Sequence, residues 1–204
     1  MGKARLEAFS DGVIAIVITI LVLELEVPHG ATLAVLEPML PVLLGHTLSF
    51  VYVGIYWNNH HHLFQAVRGV DGRILWLNLH LLFWLSLLPF VTAWMGHAGV
   101  ETVPVAAYGA VLFMCAVGYA MLEHGLLRLD RANATLARAI GADRKGWLSL
   151  AAYACGIALG LVHAWLGLAI YVGVAIAWFI PDRRIEGRLA LEEGDAGEEA
   201  QASR

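Results

Sequence analysis

The sequence predicts an all-α integral membrane protein with six transmembrane helices per chain and both termini in the cytoplasm. Of the 204 residues, 59% are hydrophobic and only 15% are charged, which is more apolar surface than one soluble core of this size can bury. Several apolar stretches reach the roughly 20 residues that a helix needs to cross about 30 Å of hydrocarbon. These two observations predict a membrane protein, and the distribution of basic residues predicts its orientation.

The apolar stretches divide the chain into helices that we place by hydropathy. We predict six spans, at about residues 9–27, 35–59, 74–95, 103–127, 146–163 and 164–180. The first ends before Pro28 and Gly30, which are typical of a turn. The last apolar block is too long for one span, so we divide it near His163. Residues 1–181 then form one transmembrane domain, and residues 182–204 form a charged tail that we expect to be disordered.

The basic residues test this map, because they played no part in drawing it. All thirteen lysines and arginines fall on one side: Lys3, Arg5, Arg68, Arg73, Arg128, Arg131, Arg138, Arg144, Lys145, Arg183, Arg184, Arg188 and Arg204. An even number of spans with both ends on that side produces this arrangement. By the positive-inside rule that side is the cytoplasm, so we expect a multi-pass protein of the inner (plasma) membrane.

The opposite side carries acidic residues and no lysine or arginine. Glu24, Glu26, Glu37 and Glu101 lie at or near it, where they would concentrate cations. Ordinary exclusion of basic residues from translocated loops explains the absence of lysine and arginine equally well, without any pore.

The first helix begins with ionisable residues and then runs apolar from Val13 to Leu23. One set of positions recurs every three or four residues and so shares a helix face: Gly12, Ile16, Thr19 or Ile20, Leu23 and Val27. If several copies surrounded an axis, this face would form a hydrophobic constriction with one hydroxyl layer. Packing of the stripe against a neighbouring helix is the alternative interpretation.

Polar residues near the cytoplasmic boundary suggest a contact between the first two helices. Asp11 is costly near the membrane unless it has a partner. The second helix ends in Trp57 and the run His60 to His62, so we expect His60 or a neighbour to bond Asp11 or Ser10. Asn78, Pro89 and Thr92 interrupt the third helix, where Pro89 should produce a kink. His46 and Ser49 in the second helix are ambiguous.

A metal-dependent enzyme is the weaker interpretation of the same histidines. Three adjacent histidines point in different directions around a helix and cannot bind one metal together. His80 and the pair Glu123–His124 add candidate ligands, but ligand-like spacing is missing. Cys115 and Cys155 lie in apolar runs, where we expect buried thiols. We therefore predict no metal, no cofactor and no enzymatic activity.

Three sequence motifs, taken together, resemble a known family. They are Arg5-x-x-x-Phe9-Ser10-Asp11-Gly12 with Ile16 to Thr19, Trp57-x-x-His60-x-x-Leu63-Phe64-Gln65, and Leu77-Asn78-Leu79 followed by Pro89-Phe90-x-Thr92. Their order is similar to that in bacterial relatives of the endosomal and lysosomal potassium channel, the transmembrane protein 175 family. The resemblance covers about the first 95 residues, and the later helices match only in number and length.

The resemblance implies a potassium channel without a carbonyl selectivity filter, formed by a homotetramer in the lipid bilayer with helix 1 lining a central pore. Ile16 matches the constriction, Thr19 the threonine layer, and Ile20 and Leu23 further apolar pore positions. The residues that match an intracellular network bracing the pore helix are Arg5, Phe9, Ser10, Asp11, Trp57, His60 and Asn78.

Potassium ions are then the expected partner, with no nucleic acid. Weak selectivity and proton permeation stay open as alternatives. The main alternative to a channel is a cation transporter working by alternating access, although neither inverted repeats nor broken helices are evident in the sequence.

Overall fold

A computed structural model describes residues 2–129 and 144–179 of the chain. Within these two ranges all regular secondary structure is helical. The elements are α1 (Lys3–Leu23), a 3₁₀ helix (Leu33–Met39), α2 (Leu40–Gln65), α3 (Gly72–Ser86), α4 (Leu88–Ala98), α5 (Thr102–Leu129), α6 (Arg144–Val162) and α7 (Ala164–Phe179). The predicted tail at 182–204 and six of the basic residues, Arg131, Arg138, Arg183, Arg184, Arg188 and Arg204, lie outside the described residues.

Five helical stretches are long and apolar enough to cross a membrane. They are Lys3–Leu23, Leu33–Gln65, Gly72–Ala98, Thr102–Leu129 and Arg144–Val162. The sixth predicted span corresponds to α7, a shorter apolar helix of 16 residues, and α6 and α7 are separated at His163. The all-helical, membrane-spanning fold class is therefore confirmed.

The first helix is displaced toward the N-terminus relative to the predicted span 9–27. It begins at Lys3, because charged residues that hydropathy excludes can still form helical turns at the water interface. It ends at Leu23, after which the N–H of Glu24 bonds the carbonyl of Ile20 at 3.2 Å. Val27, which the sequence analysis added to the apolar stripe, therefore lies beyond the helix, and its inclusion was wrong.

The second helix is preceded by a 3₁₀ segment that contains Pro38, and Pro41 lies in the first turn of α2. Proline is tolerated there because the first turn of a helix has no partner for its N–H groups. At its other end α2 extends through Gln65, six residues beyond the predicted end. The run His60 to His62 is consequently helical.

The third predicted span is two helices, α3 and α4, which meet at Leu87. Pro89 has no N–H to donate to the carbonyl of Leu85, so the regular hydrogen-bond ladder is interrupted here. From the sequence we predicted a kink at Pro89 but no broken helix. The structure shows a break of one residue.

The helices pack around α5, which makes its most extensive contacts with α3 and α6, while α6 also packs along α7. Glycines allow a close approach: the ring of Tyr171 on α7 lies against Gly109 on α5 and Gly156 on α6, where an added Cβ would overlap it. Small residues at crossings are typical of membrane helix bundles. On the other side of the bundle α1 packs mainly against α2, α3 and α4.

Two contacts show which element ends lie together. The Lys3 ammonium donates to the carbonyl of Val67 at 2.8 Å, which places the start of α1 beside the connector between α2 and α3. At the opposite end of α1, Glu26 lies 3.4 Å from the imidazole of His97 at the end of α4. The start of α1 and the acidic segment that follows it are thus at opposite ends of the bundle.

Candidate functional site

Helix α1 has two distinct faces within one chain. The buried face comprises Leu6, Ser10, Ile14, Val17 and Leu21. The opposite face is exposed and comprises Gly12, Ile16, Thr19, Ile20 and Leu23. Ile14 and Ile16 are two residues apart and so lie about 160° apart around the helix, which explains why burial of one leaves the other outside.

The exposed face is strongly apolar, and the described residues of its own chain leave it uncovered. Ile16 is 59% exposed and Leu23 is 77% exposed. In a membrane protein such a face contacts lipid, another chain or, if copies surround an axis, the lumen of a pore. These are the positions that the resemblance assigns to a pore constriction.

Thr19 is the polar residue of this face. Its hydroxyl donates to the carbonyl of Ile16 at 2.8 Å, so the hydroxyl hydrogen is held against the helix backbone. The remaining lone pairs of Thr19 Oγ1 then act only as acceptors, and a cation prefers such oxygens in its coordination shell.

A tryptophan on α2 holds the acidic residue in the N-terminal half of α1. The indole N–H of Trp57 donates to Asp11 Oδ1 at 3.0 Å, and the Trp57 ring stacks on His61 with centroids 6.1 Å apart. The bond supplies the partner that Asp11 requires near the membrane. The predicted contact between the first two helices is present, with Trp57 rather than His60 as the partner of Asp11.

The residue before Asp11, Ser10, belongs to a buried series of hydrogen bonds that joins α1, α2 and α3. His60 Nε2 lies 2.8 Å from Asn78 Oδ1, and Asn78 Nδ2 donates to Ser10 Oγ at 2.9 Å. Since Asn78 Oδ1 can only accept, His60 carries its hydrogen on Nε2. Ser10 in turn donates to the carbonyl of Leu6 at 2.9 Å, so its hydroxyl both accepts and donates a hydrogen bond.

The structure does not bring Arg5 and Phe9 into this network. Both side chains are exposed, and the guanidinium of Arg5 makes no hydrogen bond or ion pair with any residue that the structure describes. Their spacing of four, and of three from Phe9 to Gly12, places them on the same face as Ile16. Their assignment to the bracing network stays a prediction.

His46 and Ser49, which were ambiguous in the sequence, both have a hydrogen-bond partner in the structure. His46 Nδ1 lies 3.1 Å from the carbonyl of Leu21 on α1. Ser49 Oγ lies 2.6 Å from Thr92 Oγ1 and 3.0 Å from the hydroxyl of Tyr108, which joins α2, α4 and α5. A signal existed in the sequence, because positions 46, 49, 56 and 60 follow a helical spacing and so place polar side chains on one face of α2.

The histidines that suggested a metal site are dispersed. Among the described residues no group of three or more histidine, cysteine, aspartate or glutamate side chains is placed to hold a metal ion. His61 bonds the side chain of Gln65 at 2.9 Å, and His124 bonds the carbonyl of Ala120 in its own helix at 2.8 Å. Cys115 is buried as expected, whereas Cys155 is exposed on α6, which corrects the expectation of two buried thiols.

Known proteins resemble this chain over most of its length. Residues 5–89 match the family described as "Endosomal/lysosomal potassium channel TMEM175". A Chryseobacterium protein named as a potassium channel is 52% identical over 189 residues, which are 93% of this chain and 98% of that protein. The crystal structure of a lysosomal potassium-selective channel TMEM175 homolog from Chamaesiphon minutus superposes with a TM-score of 0.73 at 26% identity, covering 87% of this chain and 96% of that one.

This chain belongs to the TMEM175 family. A further TMEM175 protein, named as an endosomal/lysosomal proton channel, is that of Gallus gallus; it is 32% identical over 61% of this chain and 29% of its own length. TMEM175 proteins are ion channels and not enzymes. The family match at residues 5–89 contains α1 from Arg5 onward, with both of its faces, and also Trp57, His60 and Asn78.

Proposed function

We propose that four copies of this chain form a potassium channel whose central pore is lined by the exposed face of α1. The observation that carries the proposal is the division of α1 into a buried face and an uncovered apolar face that includes Ile16. The names of the Chryseobacterium and Chamaesiphon relatives support potassium as the permeant ion.

Ile16, Ile20 and Leu23 would form successive apolar rings around the axis. A narrow apolar ring loses its water and resists ion entry, so its width decides whether the pore conducts. Thr19, one turn from Ile16, would supply a ring of hydroxyl oxygens that replaces part of the hydration shell of a cation. The chain contains no Thr-Val-Gly-Tyr-Gly sequence, so selectivity has to come from these side chains.

The polar contacts of α1 would hold this face toward the axis. Trp57 fixes Asp11, and Asn78 fixes Ser10, so the cytoplasmic half of α1 is tied to both α2 and α3. Arg5 and Phe9 extend the same exposed face toward the cytoplasm. In the tetramer they would line the inner vestibule or contact a neighbouring chain.

The orientation follows from the charges. With six spans in residues 1–181, both termini lie on the cytoplasmic side, and Glu24 and Glu26 lie at the outer mouth, where they raise the local cation concentration. The location is the inner (plasma) membrane.

Proton permeation is a second candidate, because animal relatives are named as proton channels. Alternating access by a transporter is a third, and the break at Leu87 is the feature that it could use. The two can be distinguished by cooling. Flux through a channel still scales with the ion gradient at low temperature, whereas the transport cycle of a transporter slows steeply.

The test is ion flux into proteoliposomes that hold purified protein, with potassium, sodium and proton gradients applied separately. The unmodified protein should favour potassium. Ile16→Asn should wet the constriction and raise flux about tenfold or more, with reduced selectivity.

Phe83→Asn is the matched control, since Phe83 is a similarly exposed apolar residue on α3, at 55%. It should leave flux and selectivity unchanged. Equal effects of the two variants would contradict a pore on α1, and absence of flux under every gradient would contradict the channel.

A further inference from the structure

The outer end of α1 leaves a backbone carbonyl without a partner from its own helix. After Leu23 the chain tightens, and the N–H of Leu25 bonds the carbonyl of Val22 at 3.2 Å instead of that of Leu21 four residues back. The carbonyl of Leu21 is thereby released from the α-helical ladder. Leu21 itself is only 1% exposed, so this acceptor lies where water does not compensate it.

His46 on α2 supplies the missing donor. Its Nδ1 lies 3.1 Å from the carbonyl oxygen of Leu21, and the contact is partly buried. Because a carbonyl only accepts, His46 must carry a hydrogen on Nδ1. A carbonyl without a hydrogen-bond donor is energetically unfavourable in a bilayer. The side chain of His46 therefore caps this end of α1 from the neighbouring helix α2.

We propose that His46 is a positioning residue for the outer half of the pore. The inference rests on the proposed function, since it gives His46 a role through the pore positions Ile20 and Leu23. Leu21 follows Ile20 directly and precedes Leu23 by two residues, so the hydrogen bond holds the turn that carries both.

The arrangement of contacts along α1 makes the role specific. The cytoplasmic ties act at Ser10 and Asp11, and the His46 bond acts at Leu21, close to three turns further along. The proposed constriction at Ile16 and Thr19 lies between them. Removal of the outer tie frees the last turn while the inner ties keep the rest of α1 in place.

The experiment compares His46→Leu, His46→Asn and Thr47→Val in proteoliposomes under opposed potassium and sodium gradients. Leucine cannot donate, whereas asparagine keeps an N–H donor at the same distance from the backbone as His46 Nδ1. Thr47 is the neighbouring control, because its hydroxyl bonds the carbonyl of Leu43 in its own helix at 2.8 Å and ties nothing to α1.

The permeability ratio from the reversal potential is the readout. His46→Leu should lower the preference for potassium over sodium roughly fivefold, the size expected when one interhelical hydrogen bond is lost. His46→Asn should keep the preference of the unmodified protein, and so should Thr47→Val. An unchanged ratio in His46→Leu, or an asparagine variant that behaves like leucine, would overturn the proposal.

A substitute variant and a second measurement distinguish failure of this proposal from failure of the channel proposal. If His46→Leu does not assemble, His46→Thr replaces it, since a threonine hydroxyl bonds its own helix as Thr47 does and leaves the Leu21 carbonyl unmet. Amide hydrogen exchange over residues 20–25 should be faster in the variants that lack the donor. If the unmodified protein carries no flux, the channel proposal fails, and the exchange rates alone decide whether His46 holds the end of α1.

Discussion

At the residue scale, Asn78 connects three helices with one side chain. It is fully buried, its amide nitrogen donates to Ser10 on α1, and its carbonyl oxygen faces His60 on α2. The sequence singled out all three residues through the family resemblance. It did not show that Asn78 bridges the other two, because a bond between side chains 18 and 68 positions away is decided by how three helices pack.

Asn78→Leu should destabilise the protein by about 1–3 kcal/mol, because the N–H of buried His60 then loses its acceptor. The measurement is the midpoint of thermal unfolding in detergent. Ser86→Ala on the same helix is the control, since Ser86 is exposed and bonds only the carbonyl of Phe83. A midpoint for Asn78→Leu equal to that of the control would show that the buried series of hydrogen bonds contributes little.

Thr19→Val should lower the preference for potassium over sodium with little change in stability. Valine has nearly the same shape but removes the hydroxyl oxygen that we assign to cation coordination. Thr47→Val is matched, because Thr47 is also exposed and makes the same kind of bond to its own backbone. The check is the reversal potential under opposed gradients; identical values for both variants would remove Thr19 from the selectivity mechanism.

At the element scale, the packing of α5, α6 and α7 depends on small residues where a large ring must fit. Tyr171 on α7 is fully buried, and its ring occupies the space left free by Gly109 on α5. The sequence showed glycines within apolar spans but not which of them face another helix. Gly173 on α7 has no neighbour near the position of an added Cβ.

Gly109→Ala should lower the thermal midpoint of the protein in detergent, with a cost of about 1–3 kcal/mol, because the added methyl group overlaps the hydroxyl end of Tyr171. Gly173→Ala should be neutral or slightly stabilising, since alanine favours the helix and meets open space. Tyr171→Phe combined with Gly109→Ala should recover part of the loss. A similar midpoint for both alanine variants would contradict this account of the packing.

At the scale of the whole molecule, one chain leaves large apolar surfaces uncovered on several helices. Exposure within one chain does not separate a face in lipid from a face in a pore, as Ile16 and Phe83 are exposed to similar extents, at 59% and 55%. The difference between them arises only when copies assemble. In our proposal the tetramer creates this difference, because Ile16 then faces the pore and Phe83 does not.

Ile16→Cys should react with a cationic, membrane-impermeant thiol reagent and lose flux, whereas Phe83→Cys should not. Both are made after replacement of Cys115 and the exposed Cys155 by alanine. The reaction requires water, so it reports which exposed face lines an aqueous path. Native mass spectrometry should show four chains of 22.2 kDa; equal reactivity of the two cysteines, or a stable monomer, would contradict the assembly.

The sequence by itself determined that this protein is a bundle of membrane helices, because the lengths of apolar runs reflect a bilayer of set thickness. Helix ends were less predictable: α1 begins six residues before its predicted start because helical turns also form in water. Only the tertiary structure decided that Trp57 meets Asp11, that Asn78 joins His60 to Ser10 and that His46 reaches α1. These contacts depend on the rotation of each helix about its axis, which packing between distant segments sets and which hydropathy does not report.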